Sequence, residues 1–154
     1  MKLDKIDYHI IDMLQQDGRM TIRDMAQQLN LSTTPIFNRI KKLEQEGVIE
    51  KYIAQINPKK VDKALFAFVH LSIKEHSKEA VDAIVEQVTS FPEVMECHYV
   101  TGGADFVLKV LVKNMEEYNT FITEKLFTVK NIGKIDSLLS LSIPKHSNKI
   151  PLEY

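Results

Sequence analysis

Two amphipathic helical patterns separated by only two residues constrain this chain more than any other feature. Ile22, Met25, Ala26 and Leu29 recur at helical spacing, Asn30 and Leu31 follow, and Ser32 opens another pattern with Ile36, Ile40 and Leu43 on one face. So short a connection keeps the helices together, and they must share an apolar face with a further element. Leu3, Ile6, Ile10, Ile11 and Leu14 supply it as a first helix of about three turns, capped by Asp4 and ended by Asp17-Gly18. Thr21 and Ser32 are N-cap candidates for the second and third helices. Pro35 falls in a first turn, where its missing N–H is not needed, and Gly47 suits a left-handed terminus.

Three helices with a tight turn between the last two describe a helix-turn-helix, whose second member enters the major groove. The residues expected to face outward on the helix over 32–46 have the chemistry for it. Ser32, Thr33, Thr34, Asn38, Arg39, Lys41 and Lys42 offer hydroxyls, an amide and three cations to phosphates and base edges. The run from Val48 to Ile56 alternates and is rich in β-formers, as a hairpin or wing would be. The alternative is a three-helix packing domain with solvated charges.

Asn57-Pro58-Lys59-Lys60 is the one polar, proline-containing break between two periodic regions, so the expected division is a winged helix-turn-helix domain at 1–56, a hinge at 57–63 and a second domain at 64–154. In the second domain Leu65, Ala67, Val69, Leu71 and Ile73 alternate with Phe66, Phe68, His70 and Ser72, a strand apolar on both faces. Ser77 caps a helix with Val81, Ile84, Val85, Val88 and Phe91 inward. Val94–Thr101 and Phe106–Val112 read as a hairpin around Gly102-Gly103. Asn114 caps a helix with Met115, Tyr118, Ile122 and Leu126 inward, and a last strand alternates from Ile135 to Ile143. The order β-α-β-β-α-β predicts a ferredoxin-like domain, and the whole chain an α+β class. The apolar outer face of the first strand favours a partner subunit, although core packing would also account for Phe66 and Phe68.

Composition excludes more than it assigns. The net charge of −1 conceals +2 over residues 1–60 and −3 beyond, a weakly basic end suited to phosphates if the protein binds as a dimer or larger assembly. The five histidines show no metal-ligand spacing, and no phosphate-binding glycine loop or nucleophile elbow is present, so an enzyme and a metal site are not expected. A lone cysteine, Cys97, reads as a small apolar filler of a strand. No long apolar run and no signal-like N-terminus is seen, so the expected location is the cytoplasm, with no membrane partner.

Leu31-Ser32, the run Arg39-Ile40-Lys41-Lys42-Leu43-Glu44-Gln45-Glu46-Gly47-Val48-Ile49, Tyr52, Ala54 and Asn57-Pro58 resemble the Lrp/AsnC family of transcription regulators. Asp4, Asp7, Ile10, Leu14 and Asp17-Gly18-Arg19 are similar to that family's opening helix, and Val100-Thr101-Gly102-Gly103-Ala104-Asp105-Phe106 resembles its effector-pocket turn. The resemblance implies a sequence-specific regulator that binds double-stranded DNA, forms a homodimer assembling further to a tetramer or octamer, and responds to an amino acid or related small effector at Thr101, Gly102, Gly103 and Asp105. No cofactor beyond that effector is implied. Backbone N–H groups of a glycine turn can cradle a carboxylate and a nearby acid can pair an ammonium. The same residues equally suit a plain tight hairpin with Asp105 hydrogen-bonded to backbone. An effector-binding and oligomerisation module without DNA binding is the competing function.

Overall fold

A computed structural model describes residues 2–153; Met1 and Tyr154, which the expected boundaries include, lie outside them. The chain forms two compact units. One runs to Gln55 and includes the residues from Lys145 onward; the other is Ile56–Pro144. By its contacts the segment 145–153, expected in the second domain, groups with the helical unit, where Lys149 and Ile150 bond to Asp12 and Gln15.

The first unit packs α1 (Lys5–Gln16), α2 (Ile22–Leu29) and α3 (Thr33–Gln45) around Ile10, Met25, Ala26, Ile36 and Leu43. The caps follow the sequence. Asp4 and Asp7 form a reciprocal capping box on α1, and Thr21 Oγ1 accepts from Asp24 N–H at 3.1 Å on α2. Asn30 takes the left-handed conformation at φ 53° that turns the chain between α2 and α3. Ser32 stands at the start of α3 but makes no side-chain cap bond, contrary to its expected role. Gly47, at φ +70°, ends the helical region in the left-handed geometry.

Residues 48–56, expected as a hairpin, form no strand. Val48 and Ile49 N–H both donate to Leu43 O, at 2.9 and 3.1 Å, and Tyr52 Oη donates to Glu44 at 3.0 Å. Alternation can favour an extended backbone, but a strand also needs a ladder partner, and none of the described residues pairs with this run.

The second unit begins with a single helical turn, Pro58–Val61, then builds β1 (Leu65–Ile73), α4 (Lys78–Thr89), β2 (Val94–Tyr99), β3 (Phe106–Val112), α5 (Met115–Thr120) and β4 (Ile132–Leu139). The antiparallel sheet has the order β2-β3-β1-β4, with the two central strands adjacent, as in ferredoxin-like folds. Ala67, Val69 and Leu71 of β1 and Phe106, Leu108, Val110 and Val112 of β3 are fully buried beneath Ile84, Val88, Phe121 and Leu126. Each large side chain so buried contributes about 1.5–3 kcal/mol.

Two expectations in this unit are corrected. The helix from Met115 widens over Phe121–Lys125 and tightens over Leu126–Thr128; Phe121, three residues after the buried Tyr118, points inward, whereas Met115, expected inward, is 53% exposed. The last strand ends at Leu139 rather than Ile143, because β1 starts at Leu65 and the ladder runs out after Ser140 N–H donates to Phe66 O; Leu141 is fully exposed.

Candidate functional site

The exposed side of α3, with its N-cap Ser32, carries six of the seven residues expected to meet DNA. Ser32, Thr33, Thr34, Asn38, Lys41 and Lys42 are all exposed, and among the described residues none of their side chains has a hydrogen-bond or ion-pair partner. The missing cap bond leaves the Ser32 hydroxyl available at the helix N-terminus, where backbone N–H groups already favour a phosphate. Arg39 differs. Its Nη1 lies 2.6 Å from Asp7 Oδ1 and 2.7 Å from Asp4 Oδ2, binding α3 to the start of α1. The two carboxylates raise the Arg39 pKa still further, and Asp4 is lowered by the Asp7 N–H first and by Arg39 after it.

Phe37 escaped the sequence reading. It is 50% exposed beside Asn38 and Lys41, outside the Ile36, Ile40 and Leu43 stripe; an aromatic at such a position is able to touch a thymine methyl. Its place off the stripe was the available signal. Phe37 also edges an open apolar cleft of about 470 Å³ lined by Leu14, Met20, Met25, Ile40 and Tyr52. Partial burial first, and the Glu44 carboxylate second, push the Tyr52 phenol up to about 12.

The turn between β2 and β3 gathers the four expected effector residues. Thr101, Gly102 and Gly103 are exposed, and a side chain added at either glycine would meet nothing within 4 Å. Gly102, at φ +131°, occupies a conformation that L side chains rarely adopt; Gly103 does not. Asp105 is engaged. Its Oδ2 accepts from Ile73 N–H at 2.8 Å, its Oδ1 is 3.0 Å from His76 Nε2, and its own N–H donates to Leu71 O at 2.9 Å. The Ile73 N–H, and then His76, hold the Asp105 carboxyl below its usual pKa. His76 was not singled out in the sequence, since its neighbourhood depends on pairing residues 29 positions apart. Asp105 thus pins the hairpin to the end of β1, while Thr101, Gly102 and Gly103 of the turn stay exposed.

Among the described residues no cluster of His, Cys, Asp or Glu could hold a metal ion, and no helix is long and apolar enough to cross a membrane. Burial pushes the Cys97 thiol up, away from reactive thiolate.

A helix-turn-helix with an open recognition face, joined to a separate α/β unit, defines a DNA-binding regulator with its own ligand-binding domain. The comparisons with known proteins agree. Residues 3–50 match the winged helix-turn-helix DNA-binding family and residues 66–150 the Lrp/AsnC ligand binding domain. The chain is 34% identical over 140 residues to a Bkd operon transcriptional regulator of Pseudomonas aeruginosa, covering 91% of this chain and 92% of that one. To the leucine-responsive regulatory protein of Escherichia coli it is 30% identical over 151 residues, covering 98% and 92%. A transcriptional regulator of Neisseria meningitidis, solved as a complex with L-Met, superposes with a TM-score of 0.92 at 31% identity over 97% of each chain. The chain belongs to the Lrp/AsnC family, and it is a transcription regulator, not an enzyme.

Proposed function

We propose that the chain acts in the cytoplasm as an amino-acid-responsive regulator whose DNA-binding form is a homodimer, assembling further to a tetramer or octamer. The uncovered face of the sheet is the observation that supports this. Register places Phe66, Phe68 and His70 of β1, Val107 and Leu111 of β3 and Leu138 of β4 on the side away from the helices. Lys109, opposite Phe68, and Asp136, opposite His70, share this face, but Phe68 is 41% and Leu138 54% exposed, so a partly apolar surface lacks a covering layer. A second copy laid on it would bury that surface and bring two recognition helices into one assembly, suiting a partly palindromic site with half-sites about 34 Å apart.

Ser32, Thr33, Thr34, Asn38, Lys41 and Lys42 then contact DNA, with Phe37 beside them, and Arg39 holds the helix that presents them. The effector reading draws on the relative solved with L-Met. In this chain the N–H groups of Thr101, Gly102 and Gly103 receive the carboxylate, while Asp105 shapes the turn that aims them.

Mobility shift of the purified protein on its own upstream DNA, across a salt series and with each of the common L-amino acids, tests the reading. Salt-sensitive, sequence-dependent binding altered by one amino acid is expected. Binding indifferent to all of them removes the sensor. A monomer in sedimentation, at concentrations where DNA is bound, removes the dimer.

A further inference from the structure

The helical unit contains a contact that a helix-turn-helix does not require. The chain leaves the ligand-binding unit at Pro144, and the residues that follow return to α1. Gln15 grips one peptide group from both sides: its Nε2 donates to Ile150 O at 3.1 Å, and its Oε1 accepts from Ile150 N–H at 2.6 Å. One helical turn away, Lys149 Nζ lies 2.7 Å from Asp12 Oδ1, while Asp12 Oδ2 accepts from Gln16 Nε2 at 2.7 Å. His146 Nδ1 stands 3.3 Å from Gln55 Nε2, where the other connection leaves this unit.

A segment without helix or strand is mobile unless it is tied down, and neither is formed over residues 145–153. This one is tied by a reciprocal amide–peptide pair, equivalent to one rung of a β-ladder, and by an adjacent ion pair. The Lys149 ammonium is the first cause of the lowered Asp12 pKa, which agrees with their closeness. The helix so held is the one whose other end carries Asp4 and Asp7, the partners of Arg39 on α3. Its twelve residues make a rod about 18 Å long, tail at one end and recognition helix at the other.

We infer that residues 145–151 form a clasp by which the ligand-binding unit, through its covalent exit at Pro144, bears on α1 and so on the recognition helix. Asp12, Gln15 and Lys149 are positioning residues for DNA binding, although none of them lies on α3. The chain thus passes between the two units twice, at Gln55–Ile56 and at Pro144–Lys145, and the residues just beyond the second passage are anchored on α1 by bonds that can open.

Hydrogen exchange along the full chain, without DNA or ligand, tests the clasp separately from amino-acid binding. Asp12→Lys and Lys149→Asp each set like charges together and should speed exchange severalfold in α1 and in the first turns of α3. The double variant restores the pair at unchanged net charge and should restore protection. Gln15→Ala, which removes two hydrogen bonds without altering charge, should accelerate exchange in the same helices by about fivefold. It should also weaken DNA binding severalfold at fixed salt, while the double charge swap binds as the parent protein does. Acceleration confined to residues 145–151, no rescue in the double variant, or undiminished DNA binding by Gln15→Ala would each overturn the inference, leaving a tail that merely rests on the helix.

Discussion

Arg39 Nη1 lies 2.6 Å from Asp7 Oδ1, and Asp7 is 3% exposed. A cation on the recognition helix is thereby committed to the protein: it compensates a nearly buried carboxylate on α1, which also bonds the Asp4 N–H that starts the helix. Arg39→Ala should destabilise the helical unit by about 2 kcal/mol, mostly by stranding Asp7. Denaturant titration of Arg39→Ala, Asp7→Asn and the double variant checks it. The double should cost much less than the sum of the singles, and additivity would mean that the two side chains do not depend on each other.

Lys41 and Lys42 should behave otherwise. Each is exposed and has no partner among the described residues, so alanine should leave stability nearly unchanged. It should also lower the slope of log affinity against log salt by about 0.9 for each phosphate left without its cation. In the same mobility-shift series an Arg39→Ala protein, compared where it is folded, should keep the parent slope. A slope reduced by Arg39→Ala and untouched by both lysines would reverse the assignment.

Asp105 makes a pH-dependent contribution. Its carboxyl is held below the usual 3.8, by the Ile73 N–H first and His76 second. A depressed folded value means stability that is fully present above the unfolded pKa and is lost as pH falls through the lower folded one. Thermal melts of the parent and Asp105→Ala should therefore differ at neutral pH and converge in acid below that value. A gap that persists there would show that the effect comes from packing and not from the ionised carboxylate.

The irregular helix after Asn114 predicts unequal costs for two large side chains. Phe121, 1% exposed and 6.0 Å centroid to centroid from Phe91 in an edge-to-face pair, should cost about 3–5 kcal/mol as alanine. Met115, 53% exposed, should change stability by less than about 0.5 kcal/mol. Chemical denaturation of both variants decides between this burial and the inward set of Met115, Tyr118, Ile122 and Leu126 expected from the sequence.

A charge on the uncovered sheet face tests the assembly. Phe68→Glu and Leu138→Glu, each at an exposed position, should leave the monomer fold intact and shift sedimentation toward the monomer. DNA affinity should fall with it, since one recognition helix then binds without the other. Unchanged sedimentation would move the interface elsewhere.

The sequence by itself determined what depends on neighbours along the chain. The caps at Asp4, Thr21, Ser77 and Asn114, the turn at Asn30, and the alternation that buries Ala67, Val69 and Leu71 all act within a few residues, through local hydrogen bonds and side-chain periodicity. For the same reason most of the recognition face was legible, because helix periodicity fixes which positions point away from Ile36, Ile40 and Leu43. Only the tertiary structure decided which of those polar groups were free. Arg39 meets Asp7 across 32 positions, Asp105 meets Ile73 across 32 and His76 across 29, and Ile150 meets Gln15 across 135. The run 48–56 has strand character without a strand, and the last strand stops where β1 ends. In each case the outcome depends on a partner brought close by folding, and periodicity carries no information about what stands opposite.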